Sequence, residues 1–453
     1  MTNTRRDFLR TGAAVGTGLF FAGNLTGLFT GAPALAAGRP AGKGYGDLVP
    51  DPAGLLDLPN GFQYRIVSQV GDPMPGGGVV PDRFDGTAAY GGPSRSTILV
   101  RNHEQSTRGV KAVAAPNLTY DPAAFGGTTT VALDRQENKT DEYVSLAGTN
   151  NNCAGGLTPW GTWLTCEETE AKALTSGMTR DHGFVFEVDA LNPANNVNPT
   201  PLTALGRYAH EAAVIDPGTG VVYLTEDASN PNGLVYRCRP NDTSGRYGSL
   251  RAGGVLDAMR CTDGGTFVRD LSVYSQPGTV LTLGWVAVPD PLAAAVSTRK
   301  QLTEVTRSRK FEGAWWGNGA AYIVASFARN SDGSVGQHDG QVWRLDPAAG
   351  TLTLDVHFGL NPDYASDNPD GPDNITVSPF GGLLLAEDGE GVQCVQAVAG
   401  DGSVAPLARN ARDDSEFAGV CFSPDKKTLY VNLQQPGVTF AIKGPFARIR
   451  RSG

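Results

Sequence analysis

The sequence predicts an all-β fold, a β-propeller with six blades, with five or seven blades as the alternatives. Two observations predict it. Short runs of β-branched and aromatic residues alternate with Gly, Pro, Asn and Asp, and long helical patterns are nearly absent. A strand pattern also recurs at about one and two periods of ~50 residues, in Gly183–Asp189, Gly233–Arg239 and Gly340–Asp346. Periods of ~40–50 residues with several short strands in each are typical of propellers.

A second strand pattern also repeats along the chain. Some of its copies lie directly upstream of the first pattern, and the others have the same arrangement of residues after a glycine. Its copies are Gly161–Glu167, Gly220–Glu226, Gly319–Ala325, Gly381–Glu387 and, more loosely, Lys427–Asn432. Together the copies mark five units between residues 150 and 436. Residues 60–150 have room for at least one more, which makes six the best count.

The N-terminal residues have the pattern of a twin-arginine signal peptide. The motif Thr4-Arg5-Arg6-Asp7-Phe8-Leu9-Arg10 precedes a Gly/Ala-rich stretch, and Ala34-Leu35-Ala36 supplies the small residues of a cleavage site. We therefore expect residues 1–36 to be cleaved, the alternative being an N-terminal membrane anchor. The mature protein is expected in the periplasm or outside the cell.

The remaining chain divides into two parts by composition. Residues 37–60 are rich in small residues, Gly and Pro and are predicted to be a linker. Residues 61–453 are predicted to form a single propeller domain, expected to be a monomer. Six cysteines lie in the mature chain, and an oxidising compartment favours disulfides, although six cysteines allow 15 pairings.

Charge excludes one class of partner. Loss of residues 1–36 removes three arginines and one aspartate, which changes the formal net charge from −9 to −11. Nucleic-acid binding needs a basic face, so this acidic chain argues against it. No later run reaches the ~18 apolar residues of a spanning helix, so no stable membrane insertion is expected after cleavage.

Acidic residues recur where the repeated strands end. Three of these strands end in an acid that is followed directly by a second acid, in Glu167-Glu168, Glu226-Asp227 and Glu387-Asp388. Successive residues of a strand face opposite sides of the sheet, so only one acid of each pair need point toward a given bound ion. Glu104, after an earlier strand, is a further candidate.

A second set of residues lies at the start of the strand that precedes each repeated strand. This set contains Cys153, Glu211, Glu312, Asp373 and Asn374. In an antiparallel hairpin the start of the first strand lies beside the end of the second, and equivalent strand ends converge around a propeller axis. The sequence therefore predicts a crown of carboxylates with one thiol at one mouth of the central channel, where metal ions would offset the like charges. The candidate metal ligands are Cys153, Glu167, Glu168, Glu211, Glu226, Asp227, Glu312, Asp373 and Asn374.

At these residues the chain resembles the PhoX-type alkaline phosphatases over most of its mature length. The longest matching segment runs from Asn151 to Glu168, and shorter matches include Arg101-Asn102-His103-Glu104 and Pro372-Asp373-Asn374. The resemblance implies a six-bladed propeller that holds two oxo-bridged Fe³⁺ ions and Ca²⁺ ions and hydrolyses phosphate monoesters.

The resemblance also implies roles for individual residues. Cys153 would be the iron-bridging thiolate, Glu168 and Glu312 metal ligands, and Glu211 and Glu226 further ones. Two positions depart from the family pattern. Lys310 stands where the family has an arginine that helps to hold phosphate, so Lys310 is the candidate phosphate-binding residue; the charge is kept and the bidentate fork is lost. Gln435 stands where the family favours histidine.

Two other functions compete with a secreted phosphatase. One is a calcium-dependent lactonase or esterase propeller, which uses a ring of Glu, Asn and Asp and needs no thiolate. The other is a non-catalytic, metal-stabilised binding propeller, which accounts for the repeats and leaves the matched acids unexplained. A Ser-His-Asp triad is disfavoured, because the chain has five histidines and no G-x-S-x-G turn between strand and helix.

Overall fold

The computed structural model describes residues 44–110 and 116–448. The signal peptide predicted over residues 1–36 lies outside these residues. In the described part of the chain the regular structure consists of β-strands and short 3₁₀ helices. The strands are β1 (Leu48–Val49), β2 (Leu56–Pro59), β3 (Gln63–Gln69), β4 (Phe84–Gly91), β5 (Thr97–His103), β6 (Gly126–Leu133), β7 (Lys139–Thr149), β8 (Asn152–Leu157), β9 (Thr162–Glu167), β10 (Val185–Asp189), β11 (His210–Ile215), β12 (Val222–Glu226), β13 (Gly233–Pro240), β14 (Gly254–Asp263), β15 (Thr266–Val268), β16 (Val280–Ala287), β17 (Arg307–Ser308), β18 (Phe311–Gly317), β19 (Ala320–Ala325), β20 (Gly340–Asp346), β21 (Thr351–Phe358), β22 (Pro372–Val377), β23 (Leu383–Glu387), β24 (Cys394–Val398), β25 (Val404–Asn410), β26 (Phe417–Phe422), β27 (Thr428–Leu433) and β28 (Val438–Lys443). The 3₁₀ helices are Pro93–Arg95, Pro116–Leu118, Pro193–Asn196, Thr203–Leu205, Ser249–Ala252, Leu271–Val273, Thr298–Lys300, Asn330–Asp332 and Phe446–Arg448.

The strands form antiparallel groups, and most groups consist of strands that are consecutive in the sequence. Three sheets are compact, with the orders β4-β5-β6-β7, β10-β9-β8 and β26-β27-β28-β3. A fourth has the order β1-β2-β25-β24-β23-β22. The fifth runs β11-β12-β13-β14-β16-β21-β20-β19-β18, because β16 pairs with both β14 and β21 and so joins two four-stranded groups.

The first strand of each group belongs to a central ring. β4 contacts β8, β8 contacts β11, β11 contacts β18, β18 contacts β22, β22 contacts β26, and β26 returns to β4. Radial groups of antiparallel strands around such a ring are the arrangement of a propeller. The prediction of an all-β, propeller-like fold is confirmed.

Strand β3 closes the circle between the two ends of the domain. It pairs with β28 from Gln69 opposite Val438 to Gln63 opposite Lys443. Upstream of it, β2 pairs with β25, and Leu56 and Leu58 are buried beside Phe446. The segment 37–60, predicted to be a linker, therefore contains two strands, since its leucines supply an apolar face that the sheet buries.

The apolar core lies between neighbouring groups of strands. Strand β12 is buried along its whole length, and the rings of Tyr208 and Tyr236 stack with their centroids 4.3 Å apart. Burial on both faces explains the continuous apolar runs in the sequence. All six cysteines are buried and free, so the expectation of disulfides is wrong. Apart from Cys153, the thiols pack as small apolar groups on separate strands.

Each of the six ring strands is irregular near its start. The pairing register shifts within the first residues of β4, β8, β11, β18, β22 and β26 alike. Glycines lie within the irregular stretches and allow neighbouring ring strands to approach closely. A Cβ atom on Gly86 would lie 2.7 Å from the carbonyl oxygen of Cys153, and one on Gly313 would lie 2.7 Å from that of Asp373. A bulge re-aims side chains, and here it affects equivalent residues at one mouth of the ring.

No helix among the described residues is both long and apolar enough to cross a bilayer.

Candidate metal centre

The two acids at each strand end have different surroundings. The first acid of each pair is buried within its own group of strands. Glu387 accepts hydrogen bonds from the backbone N–H groups of Asp370 (3.0 Å) and Cys394 (2.7 Å) and from the Gln396 amide (3.0 Å). These contacts tie the strand to the loop that precedes its group. The first acid of the pair is therefore bound by hydrogen-bond donors of its own group of strands.

Glu226 occupies the same position on β12. Its carboxylate lies 2.9 Å from Arg299 Nη1 and accepts a hydrogen bond of 2.8 Å from the Tyr236 hydroxyl. Burial raises the pKa of Glu226 to about 7, against the opposing effect of Arg299. Its carboxylate is therefore engaged by Arg299 and Tyr236, and Glu226 does not belong to any group of potential ligands among the described residues that includes Cys153.

Glu167 also lies apart from the cysteine's acidic neighbours. Its carboxylate accepts from the N–H groups of Asn150 and Gly183, both at 2.8 Å, and lies 2.6 Å from His182 Nδ1. Because alternate strand residues face opposite ways, the residue that can reach the ring mouth is the next one, Glu168.

Three groups of potential ligands follow one another around the mouth. In each group one donor atom per residue lies within 4.8 Å of the others. Glu211 belongs to the first two groups and Asp373 to the last two, so the groups form one continuous arc. They are Cys153, Glu168 and Glu211; Glu211, Glu312 and Asp373; and Asp373, Asp388 and Glu416.

Burial and mutual repulsion set the electrostatics of the arc. Burial raises the pKa of Glu211 well above its usual range, and the nearby charges of Asp373 and Glu312 raise it further. Burial likewise raises the pKa of the Cys153 thiol, with added repulsion from Glu211 and Glu168. Two or more cations would relieve this repulsion and deprotonate the thiol.

Lys310 lies at the edge of the arc, immediately before β18. Its Nζ is 2.8 Å from Glu312 Oε1 and 3.5 Å from Asp227 Oδ2. Burial alone would lower the pKa of Lys310, but Asp227, Glu312 and Asp388 raise it well above its usual value. Asp227 is thus paired with the lysine and stands outside the three groups.

Asn374 and Glu104, the two remaining candidates, form hydrogen bonds with neighbouring residues. The Asn374 amide donates 3.1 Å to Asp373 Oδ1, and its oxygen accepts 2.5 Å from the Gly419 N–H, which orients Asp373. Glu104 accepts from the side-chain amides of Asn151 (3.0 Å) and Gln434 (2.5 Å).

The family of the chain follows from a match to a family model. The model described as "Alkaline phosphatase PhoX" matches residues 43–142 and 136–437. The chain belongs to this family. The match covers the whole strand ring and every residue of the three ligand groups. No curated protein matches the chain.

One solved structure shares the fold of this PhoX-family chain, and two others are similar to it at lower TM-scores. Pseudomonas fluorescens PhoX in complex with vanadate, a transition state analogue, is 19% identical over 90% of this chain and 97% of its own, with a TM-score of 0.68. A gluconolactonase from Xanthomonas campestris is 13% identical over 90% and 99%, with a TM-score of 0.41. The PQQ domain of a Coprinopsis cinerea pyranose dehydrogenase is 11% identical over 86% and 97%, with a TM-score of 0.38.

Sequence reasoning missed two residues of the candidate site in this PhoX-family chain. Asp85 raises the pKa of both Cys153 and Glu211 through its charge, after the larger effect of burial, and Glu416 belongs to the third ligand group. A signal was present, because the Phe-x-Gly frame around Glu312 recurs as Phe84-Asp85-Gly86 and as Phe417-Ala418-Gly419. Asp85 lies within this frame and Glu416 directly precedes it.

The buried His182 should make stability depend on pH. Its Nδ1 meets Glu167 and its Nε2 lies 3.2 Å from Asp121 Oδ2. Burial alone would lower the pKa of His182, but these two carboxylates raise it. A raised folded-state pKa gives stability that is full below the unfolded pKa and lost as pH rises through the folded pKa. His182→Gln should therefore lower the free energy of unfolding by about 1–3 kcal/mol near pH 6 and by less at alkaline pH.

Urea unfolding of the wild type and of His182→Gln across this pH range measures the difference. A loss of equal size at every pH would contradict a charged imidazole between Glu167 and Asp121.

Proposed function

We propose that this protein is an exported, metal-dependent phosphatase that hydrolyses phosphate monoesters at an iron and calcium cluster in a six-bladed propeller. The observation that carries the proposal is the continuous arc of one thiol and six carboxylates at the ring mouth, in a chain of the alkaline phosphatase PhoX family. Export by the twin-arginine pathway and a monomeric state, both expected from the sequence, are part of this proposal.

The blade count is part of the proposal. In residues 44–110 and 116–448 the ring contains six strands, each of which starts an antiparallel group. Counting β11–β14 and β18–β21 as two blades joined through β16 gives six. The family resemblance independently implies the same number.

The donor set fits the metals that the family implies. Cys153, Glu168 and Glu211 combine a thiolate with carboxylates, which suits Fe³⁺, and the two all-carboxylate groups suit Ca²⁺. These residues would hold the ions. Bound there, the ions would supply positive charge that neutralises the oxygens of a phosphate ester.

The chain's own residues have separate tasks around that cluster. The Lys310 ammonium, held by Glu312 and Asp227, keeps three N–H donors at the mouth, where one can reach a phosphate oxygen. The Asn374 amide fixes the orientation of Asp373. The lack of a side chain at Gly313 lets β18 approach the backbone of Asp373 closely, so that neighbouring ring strands pack tightly beside the site.

The decisive experiment combines metal analysis with a phosphatase assay. Purified, metal-loaded wild type should hydrolyse p-nitrophenyl phosphate and contain iron and calcium. Cys153→Ser should lose most of its iron and at least about 90% of its activity, since ligand changes weaken metal sites at least as much as changes to their supports do. Cys238→Ser is the matched control, because Cys238 is equally buried but lies on β13, away from the ring.

Two outcomes would refute the proposal. Metal-loaded wild type without phosphatase activity that hydrolyses a lactone would favour the lactonase alternative. Wild type that contains neither iron nor calcium would leave a binding propeller as the better description.

A further inference from the structure

The residues that directly precede the six ring strands form the rim of the mouth. They are Arg83, Asn151, Ala209, Lys310, Gly371 and Glu416. Four of them have left-handed backbone, with φ of +52° at Arg83, +59° at Asn151, +50° at Lys310 and +52° at Gly371. A repeated conformation that costs energy in non-glycine residues indicates that the rim has a common geometry. Arg83 and Lys310 are the two cations in this set.

The two cations have opposite places in the ring. Arg83 precedes β4 and Lys310 precedes β18, and in the circuit of strand contacts two strands separate β4 from β18 in either direction. The arc of metal-ligand groups runs from Cys153 on β8 to Glu416 before β26. Arg83 therefore stands in the gap between the two ends of that arc.

The two cations also differ in how far their charges are neutralised. The Lys310 ammonium has two carboxylates within ion-pair distance. Arg83 instead has a neutral neighbour: the side-chain amide of Gln435 lies 3.2 Å from both Nη atoms and, in its flipped orientation, presents its oxygen to them as an acceptor. Among residues 44–110 and 116–448 no carboxylate forms an ion pair with Arg83. Arg83 directly precedes the ring strand β4, so its position in the chain places this charge at the rim of the mouth.

Three acids that adjoin Arg83 in sequence or in the backbone hydrogen bonding, Asp82, Asp85 and Glu104, accept hydrogen bonds from other groups. Asp82 Oδ1 accepts from the Val110 N–H at 3.0 Å. Glu104 accepts from the side-chain amides of Asn151 and Gln434. Asp85 Oδ1 accepts from the Gly86 N–H at 2.7 Å. Arg83 is half-buried at the rim, so solvent screens its charge less than that of a surface arginine.

We propose that Arg83 binds the phosphate group of the substrate through its planar guanidinium, supplying the bidentate fork that Lys310 lacks, and that Gln435 positions it. Arginine matches the geometry of a phosphate with two parallel N–H donors, whereas lysine acts as a point charge. The neutral Gln435 holds the guanidinium without cancelling its charge. This inference rests on the proposed function for the identity of the anion.

The test measures binding of inorganic phosphate to the metal-loaded proteins by calorimetry, with metal content determined on the same samples. Arg83→Met should weaken phosphate binding about tenfold or more and keep its metals. Gln435→Glu should weaken phosphate binding to a similar extent, because the new carboxylate would neutralise the charge of Arg83. The melting temperature should stay equal or rise, because the carboxylate would form an ion pair with Arg83. A purely structural role for Arg83 predicts no loss of phosphate affinity in Gln435→Glu.

Arg65→Met is the matched control. Arg65 is also half-buried and donates to neutral acceptors, the Gln136 carbonyl (3.0 Å) and the Asn138 amide oxygen (3.1 Å), but it lies on the outer strand β3. Its variant should bind phosphate within about twofold of wild type. Metal-replete Arg83→Met or Gln435→Glu with wild-type phosphate affinity would overturn the proposal.

Binding and turnover separate this inference from the proposed function. If wild type binds phosphate but hydrolyses no ester, and Arg83→Met loses that binding, the phosphatase proposal fails and the role of Arg83 stands. If wild type hydrolyses esters and Arg83→Met binds phosphate normally, the role of Arg83 fails and the phosphatase stands.

Discussion

Glu211→Gln should reduce kcat/KM for p-nitrophenyl phosphate by about a thousandfold, a loss typical of removing a central charge-stabilising group. Glu211 carries this effect because it belongs to two of the three ligand groups and is buried. Glutamine keeps the shape of the side chain and removes its charge. Both the thiol-containing group and its neighbour would lose an anionic ligand in one substitution.

The same variant should change stability in opposite directions with and without metal. In chelator, Glu211→Gln should melt higher than wild type, because one of several mutually repelling buried carboxylates is gone. In iron and calcium the wild type should gain more thermal stability than the variant, since ligands stabilise a fold in proportion to their binding. Thermal melts with and without chelator measure both effects.

The control for this prediction is Glu387→Gln. Glu387 is equally buried, but its carboxylate accepts from backbone N–H groups and a glutamine amide outside the three ligand groups. That variant should keep its metals and its activity per folded molecule. A Glu211→Gln protein with wild-type metal content and activity would show that the arc is not the metal site.

Glu226→Ala should lower the free energy of unfolding by about 3 kcal/mol, the scale for breaking a buried ion pair, and leave the activity of the folded fraction unchanged. Glu226 is fully buried and lies 2.9 Å from Arg299, which would lose one of its two acidic partners. The Tyr236 hydroxyl would lose its acceptor as well. The substitution should therefore reduce stability and leave catalysis unchanged, because the Glu226 carboxylate binds Arg299 and Tyr236 within the folded core.

Urea unfolding and specific activity, measured on the same preparations, check both parts of this prediction. Glu170→Ala is the control: Glu170 is the more exposed partner of Arg299, so its loss should cost less than about 1 kcal/mol. If Glu226→Ala folded normally and lost its metal, the ligand role first expected for Glu226 would be restored.

The site was predictable to the extent that it repeats. The matched offsets of Glu168, Glu211, Glu312 and Asp373 pointed to one end of the strands, and the structure brings these residues together with Cys153 at the ring mouth. The frame Phe84-Asp85-Gly86 would have added Asp85 on the same grounds. Repeats make such reasoning possible because equivalent residues meet around an axis.

The choice within each acidic pair could not be made along the chain. Glu167-Glu168 and Glu226-Asp227 are alike in sequence, and which member faces the axis depends on the phase of the strand. The irregular start of each ring strand also sets which residue reaches the mouth, and local residue type does not reveal it. The sequence interpretation therefore included Glu167 and Glu226 among the ligands.

Period, composition and residue type along the chain were sufficient for the all-β class, the propeller-like arrangement and the end of the strands where the acids gather. These are local properties, repeated many times. The partners of Glu226 and Glu167, the free state of the cysteines and the place of Arg83 in the gap of the arc depended on the folded chain. Arg299 is 73 residues from Glu226 in sequence, and Arg83 is 352 positions before Gln435 (435 − 83). Contacts between such distant residues exist only once the ring has closed.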